Sequence, residues 1–169
     1  HDAIGIAIVG VLGGFLSPVL VSTGENHPHV LFIYIAILDF VAIGAAYFRR
    51  WMKLDVLCLA GTVLMYVGWY SKFYAPDQMY PALLYVTLFY LMFLLIPLFH
   101  GLAQRRPGGL DALGILALDS LYSVGVYYRV LHGDHRYILG FVVLAQALVV
   151  SGMFLLWARR VSQKDTTAE

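Results

Sequence analysis

Two aspartates stand where a charge is expensive. Asp39 falls near the centre of one long apolar run and Asp119 near the centre of another. If those runs cross a bilayer, a carboxylate at mid-depth costs at least about 2.5–3.5 kcal/mol on insertion scales. A carboxyl kept there can carry a proton as the neutral acid, or face a substrate or cation. It can also serve as interhelical hydrogen-bond glue, worth only about 0.6 kcal/mol per contact on average. Glue has little need of a group that must stay neutral or find a cation, but both readings stand for this pair. Tyr66, Ser123 and Gln146 lie at comparable depth and join Asp39 and Asp119 as proton or substrate candidates. Ser123 follows Asp119 by one helical turn and could donate to it, while Ala36, Ala42 and Ala46 make the side around Asp39 small and turn it inward. Thr62, Thr87 and Ser151 read as glue. Asp55 and Asp111 each open a helix and read as first-turn charges that complement the helix dipole.

The histidines offer a second chemistry. "HPH" (His27, His29) and "HGDH" (His132, His135) fall in loops between apolar runs, with Glu25, Asp77 and Asp134 near them in sequence. They could converge on zinc or another divalent ion, or titrate near neutral pH. The simpler reading is that histidine suits a wet interfacial loop, since neither spacing is a strong metal motif. None of the six histidines lies deep in a run, so no intramembrane triad can be assembled. The sequence has no nucleophile elbow, no phosphate loop and no H-E-x-x-H helix. It reads as non-catalytic and implies no cofactor.

The elements that must position these groups follow from composition. Hydrophobic residues make up 61% of the 169 and charged residues 12%, against about a quarter charged in a soluble domain. Mean hydropathy is +0.79. The charges gather between runs that are apolar all round, which predicts an all-α polytopic transmembrane helix bundle. Roughly 20 apolar residues are needed per span. Six runs qualify, at about 3–22, 29–48, 54–70, 80–99, 110–128 and 137–157, the third short and able to extend through Tyr74. Residues 1–160 form the transmembrane domain and 161–169 a polar cytoplasmic tail. A lone Cys58 excludes an internal disulfide and a thiolate metal cluster. A net charge of +1 points to no nucleic-acid partner. The chain opens on His1 with neither a basic n-region nor a cleavage site and reads as a fragment of a longer protein.

Arg49, Arg50, Lys53, Arg105, Arg106, Arg159, Arg160 and Lys164 lie on one side, and Lys72, Arg129 and Arg136 on the other. The positive-inside bias then predicts both termini in the cytoplasm. The outward loops become "TGENHP", "SKFYAPDQM" and "RVLHGDHR", with Trp51, Trp69, Tyr70, Tyr80, Tyr127, Tyr128 and Trp157 as an interfacial belt. In the first run Ala3, Ala7, Gly10, Gly14 and Ser17 recur at spacings of four and three, a small-residue packing stripe with a G-x-x-x-G pair. Pro18 reads as a helix exit, or else as a break whose freed carbonyls line a cavity.

"LDFVAIGAAYFRR" from Leu38 and "LDSLYSVGVYYRV" from Leu118 align at an offset of 80, matching Leu, Asp, Tyr and Arg. Pro18 and Pro97 correspond one residue out of step. Three spans repeated once must be inverted, a 3+3 arrangement typical of transporters. Apolar-biased strings also produce such identities by chance.

The string "GGFLSPVLVSTG", preceded by "HDAIGIAIVGVL" and followed by "LFIYIAILDFVAI", resembles a large bacterial family of predicted multi-spanning membrane proteins known only as a domain of unknown function. Its hallmark is GGFL-(S/T)-P-x-L-x-STG, and the similarity is specific over residues 2–69 and compositional beyond. The resemblance implies a bacterial inner-membrane location and a longer parent chain. It brings no reaction, ligand or site residue. The leading expectation is a transport or channel-like module whose polar layer includes Asp39 and Asp119. The alternative is a non-catalytic scaffold that packs against the rest of a longer chain or other membrane proteins. A third is an envelope-polymer enzyme working at the outward histidines. The lipid bilayer is a partner in each.

Overall fold

The computed structural model describes residues 2–21, 24–49, 51–104, 110–131 and 136–166. Among them run six α-helices: α1 (Asp2–Leu20), α2 (Pro28–Arg49), α3 (Met52–Phe73), α4 (Met79–Gln104), α5 (Leu110–Leu131) and α6 (Arg136–Thr166). A 3-10 turn over Pro76–Gln78 leads into α4. No strand occurs among the described residues, and the all-α bundle expected from the apolar runs is what forms. Among the described residues four stretches are long and apolar enough to cross a membrane: Ala3–Leu20, Pro28–Ala46, Lys53–Phe73 and Pro76–Ile96, with Tyr137–Met153 a shorter apolar helix.

Local chemistry sets the boundaries. Pro28 opens α2 where its missing N–H costs nothing. The third helix fills out to Phe73, with Tyr74 as its C-cap. α6 runs on to Thr166, into the segment expected as a polar tail.

The chain divides into two units, His1–Phe93 and Leu94–Glu169. In the first, α1 packs on α2 and α3, and α2 packs on α3. The buried face of α1 carries Val11 and Phe15. Two glycines admit the neighbours. Leu38 of α2 lies over Gly14, where a Cβ would come within 2.7 Å of it, and Phe15 lies over Gly61 of α3 at 2.5 Å. The small-residue stripe is thus only partly the contact face. Ala7 and Gly14 are half-buried, while Ala3, Gly10 and Ser17 are exposed and nothing lies within 4 Å of a Cβ on Gly10. The packed line is shifted because large side chains fill the seam and glycine is needed only where one crosses it.

Pro18 does not end α1, which continues to Leu20 with Val21 N–H bonding the Ser17 carbonyl at 3.0 Å. Proline cannot donate to the carbonyl four residues back, that of Gly14. The Tyr34 hydroxyl of α2 donates there instead, at 3.0 Å, and Ser17 Oγ donates to the Gly13 carbonyl at 2.8 Å. The carbonyl freed by Pro18 is therefore satisfied by a neighbouring helix, as a nonpolar surrounding demands.

In the second unit α5 packs on α6. Along α5 the buried positions Leu116, Asp119, Ser123 and Tyr127 recur every three or four residues. Among the described residues, Gln146 is the buried polar side chain that α6 brings to this unit.

Candidate site: the enclosed carboxyls

In the first unit the site is built where α2 faces α3. Asp55, Cys58 and Thr62 follow one another at spacings of three and four, so α3 turns all three to the same side. Asp39 of α2 meets two of them, Cys58 and Thr62. Asp39, Asp55 and Cys58 are fully buried and Thr62 is 1% exposed. Thr62 Oγ1 donates to Asp39 Oδ2 at 2.5 Å, a bond between helices 23 residues apart in sequence. The Cys58 thiol borders the Asp39 carboxyl. Thr62, expected as anonymous glue, is therefore the group that holds Asp39. A buried acceptor with such a donor is far cheaper to keep than a bare one.

The second unit encloses its carboxyl differently. Asp119 is 2% exposed, Ser123 fully buried and Gln146 7% exposed. Gln146 Nε2 donates to Ser123 Oγ at 2.9 Å, and Ser123 Oγ donates to the Ser120 carbonyl at 3.0 Å. The expected donation from Ser123 to Asp119 thus gives way to a bond inside α5, because the hydroxyl has one proton and gives it to its own backbone. Asp119 Oδ2, Ser120 Oγ and Gln146 Oε1 are buried without a hydrogen-bond partner.

Tyr66 lies one turn beyond Thr62 but serves another purpose. Its hydroxyl donates to the Ala82 carbonyl of α4 at 2.8 Å, and its ring stands 5.3 Å from that of Phe32. Phe32 is the hub of an aromatic cluster, with Tyr85 at 4.7 Å and Trp69 at 5.0 Å. Trp69 Nε1 donates to Asn26 Oδ1 at 2.9 Å, tying the α1–α2 loop to α3. Trp69 is only 4% exposed, so it is a packed anchor more than a member of a headgroup belt.

The two histidines of this segment part company, His27 in the α1–α2 loop and His29 in the first turn of α2. His27 Nε2 meets Glu25 Oε2 at 3.0 Å in an exposed pair, whereas His29 Nδ1 shares a hydrogen bond of 2.8 Å with the Tyr85 hydroxyl. Among the described residues no group of three or more His, Cys, Asp or Glu side chains could hold a metal ion. His132 and His135 lie outside the described residues. Thr87 donates to the Leu83 carbonyl of its own helix, and Ser151 is exposed.

Sequence reasoning placed Asp55 in the first turn of its helix, where it stands, and noted Cys58 only as a lone thiol, without joining either to Asp39; Asn26 and Tyr85 it passed over. For the first two a signal was present, the spacing of 55, 58 and 62 on a single helical face. For Asn26 and Tyr85 none was, since their partners lie 43 and 56 residues away.

A family model described as "Predicted membrane protein (DUF2339)" matches residues 1–168. The match runs far past the 2–69 stretch that carries the glycine-rich motif. No curated protein and no solved structure matches the chain.

Proposed function

The chain belongs to this predicted membrane protein family, and from that premise we propose that it is a transport or channel-like module in which Asp39 and Asp119 carry protons or meet a polar substrate. The observation that carries the reading is the state of Asp39. It is a fully buried carboxyl inside a membrane-length helix, held by Thr62 of a second such helix. Carboxyls in that position are costly and mark ion or proton paths in membrane proteins. In this reading α5 and α6 also cross the bilayer, giving six spans. Both termini face the cytoplasm of a bacterial inner membrane, by the distribution of Lys and Arg.

The test is proton flux in proteoliposomes carrying the full chain. Asp39→Asn and Asp119→Asn keep shape and remove the ionisable group, so each should lower flux by at least tenfold. Unchanged flux in both variants would retire the proposal.

A second reading is a scaffold for other membrane segments. One observation favours it: α1 is the least enclosed of the four spans, with 11% of its residues buried against 44% for Pro76–Ile96. Gly5, Gly10 and Gly13 have nothing within 4 Å of an added Cβ. Small residues open to the bilayer suit close helix–helix approach.

A further inference from the structure

The second unit holds a set of oxygens that hydrogen bonding within the protein leaves unused. Ser123 fixes the Gln146 amide by accepting from Nε2 at 2.9 Å, which leaves Oε1 as the free end of that side chain. Asp119 stands one turn before Ser123 on the same face of α5 and is 2% exposed, with Oδ2 unpartnered. Ser120, the next residue, has a buried hydroxyl oxygen without a partner. A buried polar atom left unpaired costs about 1–3 kcal/mol, and here two stand on successive residues of α5 while the third belongs to the Gln146 amide that Ser123 ties to that helix, so the three call for a common explanation. A proton on Asp119 would account for one atom and leave the amide and hydroxyl oxygens as they are.

The chemistry of the set is uniform. A carboxylate, an amide carbonyl and a hydroxyl are hard oxygen donors of the kind that replace the water shell of a hard cation. Their charge is decisive. One carboxylate neutralises one positive charge, so a monovalent ion makes the site neutral in a surrounding that penalises net charge, and a divalent ion would leave an uncompensated charge. The geometry points to a sodium-sized monovalent cation bound between α5 and α6 by Asp119, Gln146 and Ser120, with Ser123 positioning the Gln146 amide. This inference rests on the proposed transport reading and names the class of its cargo or coupling ion.

The experiment uses the full chain in detergent at fixed pH and ionic strength. Its thermal unfolding midpoint, followed by tryptophan fluorescence, is titrated with sodium chloride against choline chloride. Sodium should raise the midpoint by several degrees in a saturable way, with choline giving no rise. Asp119→Asn, which keeps shape and lacks the charge, should lose the sodium response, and Ser123→Ala should weaken it. Gln146→Glu adds a second carboxylate and should exchange the sodium response for one to calcium. Equal curves in sodium and choline, or an intact sodium response in Asp119→Asn, would overturn the site and assign the three oxygens to water. Sodium binding without flux in liposomes would remove the transport reading and leave the site standing. Flux with no sodium response would do the reverse.

Discussion

Thr62 reaches from α3 to donate its hydroxyl to Asp39 of α2 at 2.5 Å, with both side chains enclosed by protein. The bond turns two apolar helices into one polar contact, and removing the donor leaves a buried carboxyl oxygen bare. Thr62→Val should therefore cost about 1–2 kcal/mol, more than the ~0.6 kcal/mol average for an interhelical bond in a bilayer. Thr62→Ser keeps the hydroxyl and should recover most of it. Unfolding of the two variants in detergent checks both outcomes.

Pro18 and Tyr34 make a paired prediction. The Tyr34 hydroxyl serves the Gly14 carbonyl, which lacks its helical donor because residue 18 is proline. Tyr34→Phe should cost about 1 kcal/mol in the natural background. In a Pro18→Ala background, where an N–H returns, the same change should cost markedly less. A double-mutant cycle with no coupling between the two positions would sink this account.

Gly61 and Gly10 should respond oppositely to alanine. A Cβ on Gly61 meets the Phe15 ring at 2.5 Å, and Phe15 is itself buried, so Gly61→Ala should destabilise by about 1–3 kcal/mol. Phe15→Leu should relieve part of that loss. At Gly10 the space is open and alanine should be neutral or stabilising. Thermal midpoints of the two alanine variants give the comparison directly. Loss of a co-purifying membrane partner in Gly10→Ala, with stability intact, would favour the scaffold reading.

The helices and the two deep carboxyls were legible because both depend on local pattern. An apolar run of span length folds as helix in lipid whatever surrounds it, and an acidic residue at its centre must turn toward protein. What was hidden depends on register between helices. Asp55 stands in the first turn of α3 as its place in the sequence predicts, but the rule for helix ends looks only along the backbone and does not foresee burial. In the structure it is fully buried on the face that carries Cys58 and Thr62. The search for small-residue pairs named Gly10 with Gly14; Gly14 is a close approach and Gly10 is not, while Gly61 is a second one it missed, each chosen by a large side chain from another helix. His29 read as a wet-loop residue, with metal binding as the alternative, until Tyr85, far along the chain, appeared as its partner.

The claim on which the rest depends is that protein, not lipid or water, surrounds Asp39. The chain's single cysteine lies beside that carboxyl and is fully buried, so it reports on the same surroundings without any substitution. In folded protein reconstituted in bilayers, Cys58 should resist both a membrane-permeant maleimide and a water-soluble thiosulfonate, and label fully once unfolded in sodium dodecyl sulfate. A Phe40→Cys control in a Cys58→Ala background should take up the permeant reagent readily, since Phe40 is 74% exposed. If native Cys58 labels as fast as that control, Asp39 faces the lipid and the enclosed-carboxyl account is contradicted.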